Sequence, residues 1–145
     1  MSRMFEKSTF NQDISNWDVS NVTNMYGMFK GNLAYNQPLE SWNVSSVNKM
    51  GRMFEGSAFN QPINNWDVSS VNEMWNMFFN ASNFNQPIGD WDVSSVINMY
   101  SMFSGSLFNQ AIGDWDVSNV LECDGFCYNT PEWTLPQPNF TNCTP

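Results

Sequence analysis

Apolar and polar positions recur along this chain in one fixed wording. The stretch FNQPIGDWDVSSVINM, from Phe84 to Met99, has near-copies beginning at Phe10, Tyr35, Phe59 and Phe108, with starts 24 or 25 residues apart. A fixed period of about 20–50 residues marks an array of stacked units. Aligned, the copies give a tryptophan column (Trp17, Trp42, Trp66, Trp91, Trp115), a valine column (Val19, Val44, Val68, Val93, Val117) and an aliphatic column (Ile14, Leu39, Ile63, Ile88, Ile112). Within a unit the periodicity changes. Ile88-x-x-Trp91-x-Val93 ends in the alternation of a short strand. Val96, Met99, Met102 and Phe103 then follow at helical spacing. Ser94 stands where an N-cap belongs, as do Ser20, Ser45, Ser69 and Ser118 in the other copies. Residues 104–107 make a return loop, and the one-residue length difference between copies falls there. The pattern predicts an α/β solenoid of about five strand-helix units over residues 1–126, whose stacked faces make one core. Residues 127–145 depart from the repeat and carry cysteines, as a C-terminal cap or tail.

Composition narrows the function. The 145 residues suit a single domain. A net charge of −9 with five Lys and Arg opposes nucleic-acid binding, which needs a basic face. It suits a cation or a basic partner. The absence of histidine removes the Ser-His and Cys-His nucleophile arrangements. No apolar run is long enough for a membrane span. The chain opens within a repeat at Met4-Phe5, the expectation for a mature or excised piece. Cys123, Cys127 and Cys143 all follow the last full repeat. A disulfide-stapled cap in an oxidising compartment is preferred to zinc, which lacks a fourth ligand. The predicted bridge is Cys127–Cys143, drawing the proline-containing tail over the last unit and leaving Cys123 buried and reduced. Of five sequons, those at Asn139 and Asn142 have the most room for a glycan.

The repeat as worded, M-F, then F-N-Q-x-I-x-x-W-D-V-S-x-V-x-x-M, resembles the repeats of BspA-like leucine-rich-repeat surface proteins from Met4 to about Phe126. The resemblance implies a leucine-rich-repeat-like fold on a cell-surface or secreted protein, often lipid-anchored and associated with adhesion. It brings no catalytic residues.

Three groups of side chains are candidate sites. If Trp and Val point inward, the residue between them points out, giving Asp18, Asn43, Asp67, Asp92 and Asp116. Asp90 and Asp114 emerge on the same face. Asp90, Asp92, Asp114 and Asp116 would then lie on neighbouring strands ~4.8 Å apart, an arrangement that suits calcium. The alternative is a solvated face, or one hydrogen-bonded to neighbouring serines. Asp18 and Asp67 would extend this face as a binding surface. Tyr26, Trp75 and Tyr100, each next to a core methionine, form an aromatic flank suited to a sugar or a partner. The invariant Asn-Gln pair before each strand (Asn11-Gln12 and its copies) reads as a structural ladder between neighbours. No catalytic residues are predicted; calcium is the one cofactor suggested. The expected function is an extracellular or cell-surface interaction module holding a protein or glycan. The alternative is a structural protein associating end to end into a filament.

Overall fold

The segment with helical apolar spacing directs its amides away from its own chain neighbours. The N–H groups of Met99, Ser101, Phe103 and Gly105 donate to the carbonyls of Glu122, Asp124, Phe126 and Tyr128, at 2.7–3.0 Å. None of them closes the i−4 bond that defines an α-helix. The computed structural model describes all 145 residues and contains no helix and no extended strand. Its β pairing consists of four isolated parallel bridges, Asn24–Lys49, Lys49–Glu73, Glu73–Asn98 and Asn98–Glu122. The α/β strand-helix solenoid is therefore overturned, and the leucine-rich-repeat-like unit with it. Successive copies do lie side by side, but each is a run of tight turns.

Those turns have a local cause. Met99 O accepts from Met102 N and Phe103 O from Ser106 N, each closing a four-residue turn. The third residue of each, Ser101 or Gly105, has φ of 49° or 69°, as a type II turn requires. Counterparts recur at Gly27 and Gly31, Arg52 and Gly56, and Asn76 and Asn80. A left-handed residue every fourth position excludes a helix. Further turns close from Ile88 O to Trp91 N and from Val93 O to Val96 N, replacing the expected strand. Inside this run alternate amides reach across to the next copy while the others close turns. The apolar side chains of the turns still point inward.

The core is a single cluster that runs through every copy. Two columns of aromatic rings interleave in it. Phe29, Phe54, Phe78 and Phe103 follow one another at 5.5–5.8 Å. Tyr35, Phe59, Phe84 and Phe108 follow at 6.1–6.4 Å. The ring that ends one copy and the ring that opens the next stack at 3.9–4.3 Å. The tryptophans lie inside, as their column suggests: Trp42, Trp66, Trp91 and Trp115 are buried. Each buried indole N–H donates to the aliphatic column one copy earlier: Ile14, Leu39, Ile63 and Ile88 O. Trp17, the first of the column, is 39% exposed.

Asparagines tie the same neighbours together at the rim. Asn11, Asn36, Asn60 and Asn85 each accept, through Oδ1, the backbone N–H of the next asparagine in the column, at 2.8–3.1 Å. Gln86 and Gln110 donate to the asparagine one copy back. The Asn-Gln ladder is structural, and it lies at the surface.

The tail continues along the path of the copies before it closes. Asn109 Oδ1 accepts from Thr134 and Leu135 N, where the next asparagine would stand. Trp133 ends the ring columns edge-on, 4.9 Å from Phe108 and 5.3 Å from Phe103, and Phe140 covers Phe126 at 5.0 Å. The predicted bridge is corrected here: Cys143 pairs with Cys123, at a Cα–Cα distance of 5.8 Å, and Cys127 is free. Cys123 occupies the place of Met99 in the core, and the returning tail reaches that place. Cys127 instead donates to Gln137 Oε1 at 3.4 Å.

Candidate functional site

Asp18, Asp67 and Asp92 are exposed, as the alternation with Trp and Val requires. Each uses Oδ1 to accept both the backbone N–H and the hydroxyl of the serine two residues on, at 2.6–3.1 Å. Asp116 accepts from Ser118 N at 3.0 Å. The serines expected as N-caps therefore donate to a side chain, closing a turn of the Asx type. Bonds to the charged form favour it, so the serines hold the carboxyls of Asp18, Asp92 and Asp116 below the usual aspartate range. No three acidic or cysteine side chains converge to hold a metal ion, so the geometry lends no support to the calcium expectation for Asp90, Asp92, Asp114 and Asp116. The column repeats because the turn repeats.

The aromatic flank is brought together in part. Trp75 reaches Tyr26 across Gly51, with ring centroids 5.6 Å apart. Gly51 makes that possible, since a Cβ there would come 2.8 Å from the Trp75 indole nitrogen. Tyr100 stands apart, 47% exposed and with no ring against it. Two residues that sequence reasoning passed over complete the strip. The Arg52 guanidinium lies 4.6 Å from the Trp75 ring and that of Arg3 5.2 Å from Tyr26. Such cation–π contacts fix the ring faces. Glu55 holds Arg52 at 3.4 Å and Lys30 at 3.0 Å. The available signal was the glycine in a column otherwise aromatic or polar. The strip is a pair of half-buried rings with a half-buried Arg52 and an exposed Arg3, a surface for contact rather than for proton transfer.

A protein family described as "Mycoplasma protein of unknown function, DUF285" matches residues 1–78 and again 55–140. The chain belongs to this family. No curated protein and no solved structure matches it. The family match runs through Trp133 and Phe140, so the two rings that close the stack fall inside it and Cys143 lies beyond it.

The two tail sequons differ. Asn139 is exposed, with its side chain uncommitted. Asn142 uses Nδ2, the atom a glycan would occupy, to donate to Ser118 O. No helix is long and apolar enough to cross a membrane, and the Cys123–Cys143 bridge is compatible with an extracellular location.

Proposed function

We propose that this chain is an extracellular or cell-surface module, non-catalytic and associated with adhesion, that holds a protein or a glycan on its aromatic flank. The observation that carries the reading is the strip of Tyr26, Trp75, Arg3 and Arg52, in which the rings of two copies and two guanidiniums are set together at the surface. Tyr, Trp and Arg are the residues that dominate binding surfaces. The BspA-like wording of the repeat supports the same reading, and the bridge suits an oxidising compartment.

The test uses immobilised glycans and extracellular-matrix proteins as probes, with wild type and Trp75→Ser compared by interferometry. Binding that Trp75→Ser weakens by about tenfold or more, with an unchanged melting temperature, supports the proposal. Wild-type binding to neither panel, or equal binding by both proteins, overturns it. A second reading, end-to-end self-association, draws on charge segregation. All five cations lie at or before Arg52, and ten of the fourteen acids lie after it. Sedimentation of a monodisperse monomer across ionic strengths would exclude that filament.

A further inference from the structure

A cleft of about 310 Å³ opens between neighbouring copies and is lined by Asn64, Pro87, Gly89, Asp90, Gln110 and Ala111. It opens where Gly89 leaves no side chain. Beneath that glycine lies a carbonyl, since a Cβ on Gly89 would come 2.8 Å from Ala111 O. One copy on, the equivalent Gly113 is covered instead by Pro136, at 2.9 Å from the same kind of added Cβ.

The polar groups of this cleft are mostly acceptors. Gln110 directs its Nε2 at Asn85 O and Asn85 Oδ1, both at 3.1 Å, so its free polar atom is Oε1. Asn64 gives one N–H to Asn65 Oδ1 at 2.9 Å, which leaves its carbonyl oxygen and one N–H. Asp90 has no ion pair, for all four ion pairs of the molecule use glutamates. No lysine or arginine follows Arg52. Carboxylate and amide oxygens facing one space, with no cation of the chain to fill it, suit a group that only donates. A lone carboxylate gives no cage for a metal. Pro87 and Ala111 offer an apolar wall to the methylene stem of a long basic side chain.

We propose that this cleft takes the guanidinium or ammonium of an arginine or lysine side chain presented by a partner protein. The site shares no residue with the Tyr26–Trp75 strip and stands whether or not that strip binds anything. The field of the acidic later copies draws such a side chain in, and the cleft gives it a seat.

The experiment is an amide-resolved NMR titration at low salt with Nα-acetyl-arginine amide, beside its uncharged isostere Nα-acetyl-citrulline amide. The arginine probe is expected to shift the amides of Gly89, Asp90, Gln110 and Ala111, and the citrulline probe to leave them in place. Asp90→Asn, an exposed change, should weaken the shifts by about fivefold or more. Asp114→Asn removes the same charge one copy on, where Pro136 covers the glycine, and should alter the affinity by less than about twofold. Absence of shifts, equal response to citrulline, or equal loss in the two variants would overturn the proposal. Shifts spread evenly over Asp114, Asp124 and Glu132 would overturn it too, because they report only the general field.

Discussion

Asp92 carries the logic of the turn in one side chain. Its Oδ1 takes two hydrogen bonds from Ser94, and these bonds exist in full only while the carboxylate is charged. Its carboxyl is lowered chiefly by the Ser94 hydroxyl and then by the Ser94 amide, with desolvation and then the charge of Asp116 opposing. A depressed folded-state pKa contributes stability that is present above the unfolded value and is lost as pH falls through the folded one. The turns at Asp18, Asp92 and Asp116 should therefore hold at neutral pH and loosen only below the ordinary aspartate value of 3.8. We expect Ser94→Ala to raise the Asp92 pKa toward that value in a carboxyl NMR titration. An unchanged Asp92 would break the link between the serine and the acid. The outward position of Asp92 was legible in its place between Trp91 and Val93. Its use was legible only as one of several alternatives, a bond to a neighbouring serine beside calcium or plain solvation, because a serine after an aspartate reads equally as an N-cap or as the donor that closes an Asx turn.

At the scale of the element, the same spacing served two structures. Val96, Met99, Met102 and Phe103 face one side of a helix, and they face one side of a run of four-residue turns as well. What separates the two is the backbone sign, and the sequence records it at one column: Gly31, Gly56, Asn80 and Gly105. Glycine and asparagine are the residues that accept a left-handed conformation, whereas a helix would favour Ala, Leu, Glu or Lys there. Read as a return loop, the column lost that meaning. The companion column of Gly27, Arg52, Asn76 and Ser101 is too varied to reveal itself. Gly56 offers a clean test, having φ of 60° and nothing within 4 Å of an added Cβ. Gly56→Ala should cost about 1–2 kcal/mol from backbone conformation alone, by chemical denaturation. Asn80→Gly, at the same place one copy on, should cost nothing from that source. A cost-free Gly56→Ala would mean that the turn does not need the left-handed residue.

The whole molecule is a stack whose order depends on how its last copy is closed. The aromatic columns end on Trp133 and Phe140, which turn edge-on and stop the ring-on-ring repeat. The tail that carries them is tied at one covalent point, Cys143 to Cys123. Cys127 looked the better partner on the sequence because it sits where a phenylalanine ends the earlier copies. The path of the tail decides otherwise: Asn142 is held to Ser118 O, and the next residue arrives over the core position of Cys123. Half-buried Cys127 is left as a thiol pushed up by burial, a poor nucleophile and slow to exchange. The bridge closes a loop with a sequence separation of 20, which the chain-entropy relation values at ~3 kcal/mol. Peptide mapping without reduction should therefore recover a Cys123–Cys143 pair. Cys143→Ser should lower stability by roughly that amount, ~3 kcal/mol. Cys127→Ser should cost far less, since it removes only a weak thiol bond to Gln137. If Cys127→Ser were the costlier change, the tail would have to follow another path, and Trp133 could not be the ring that ends the columns.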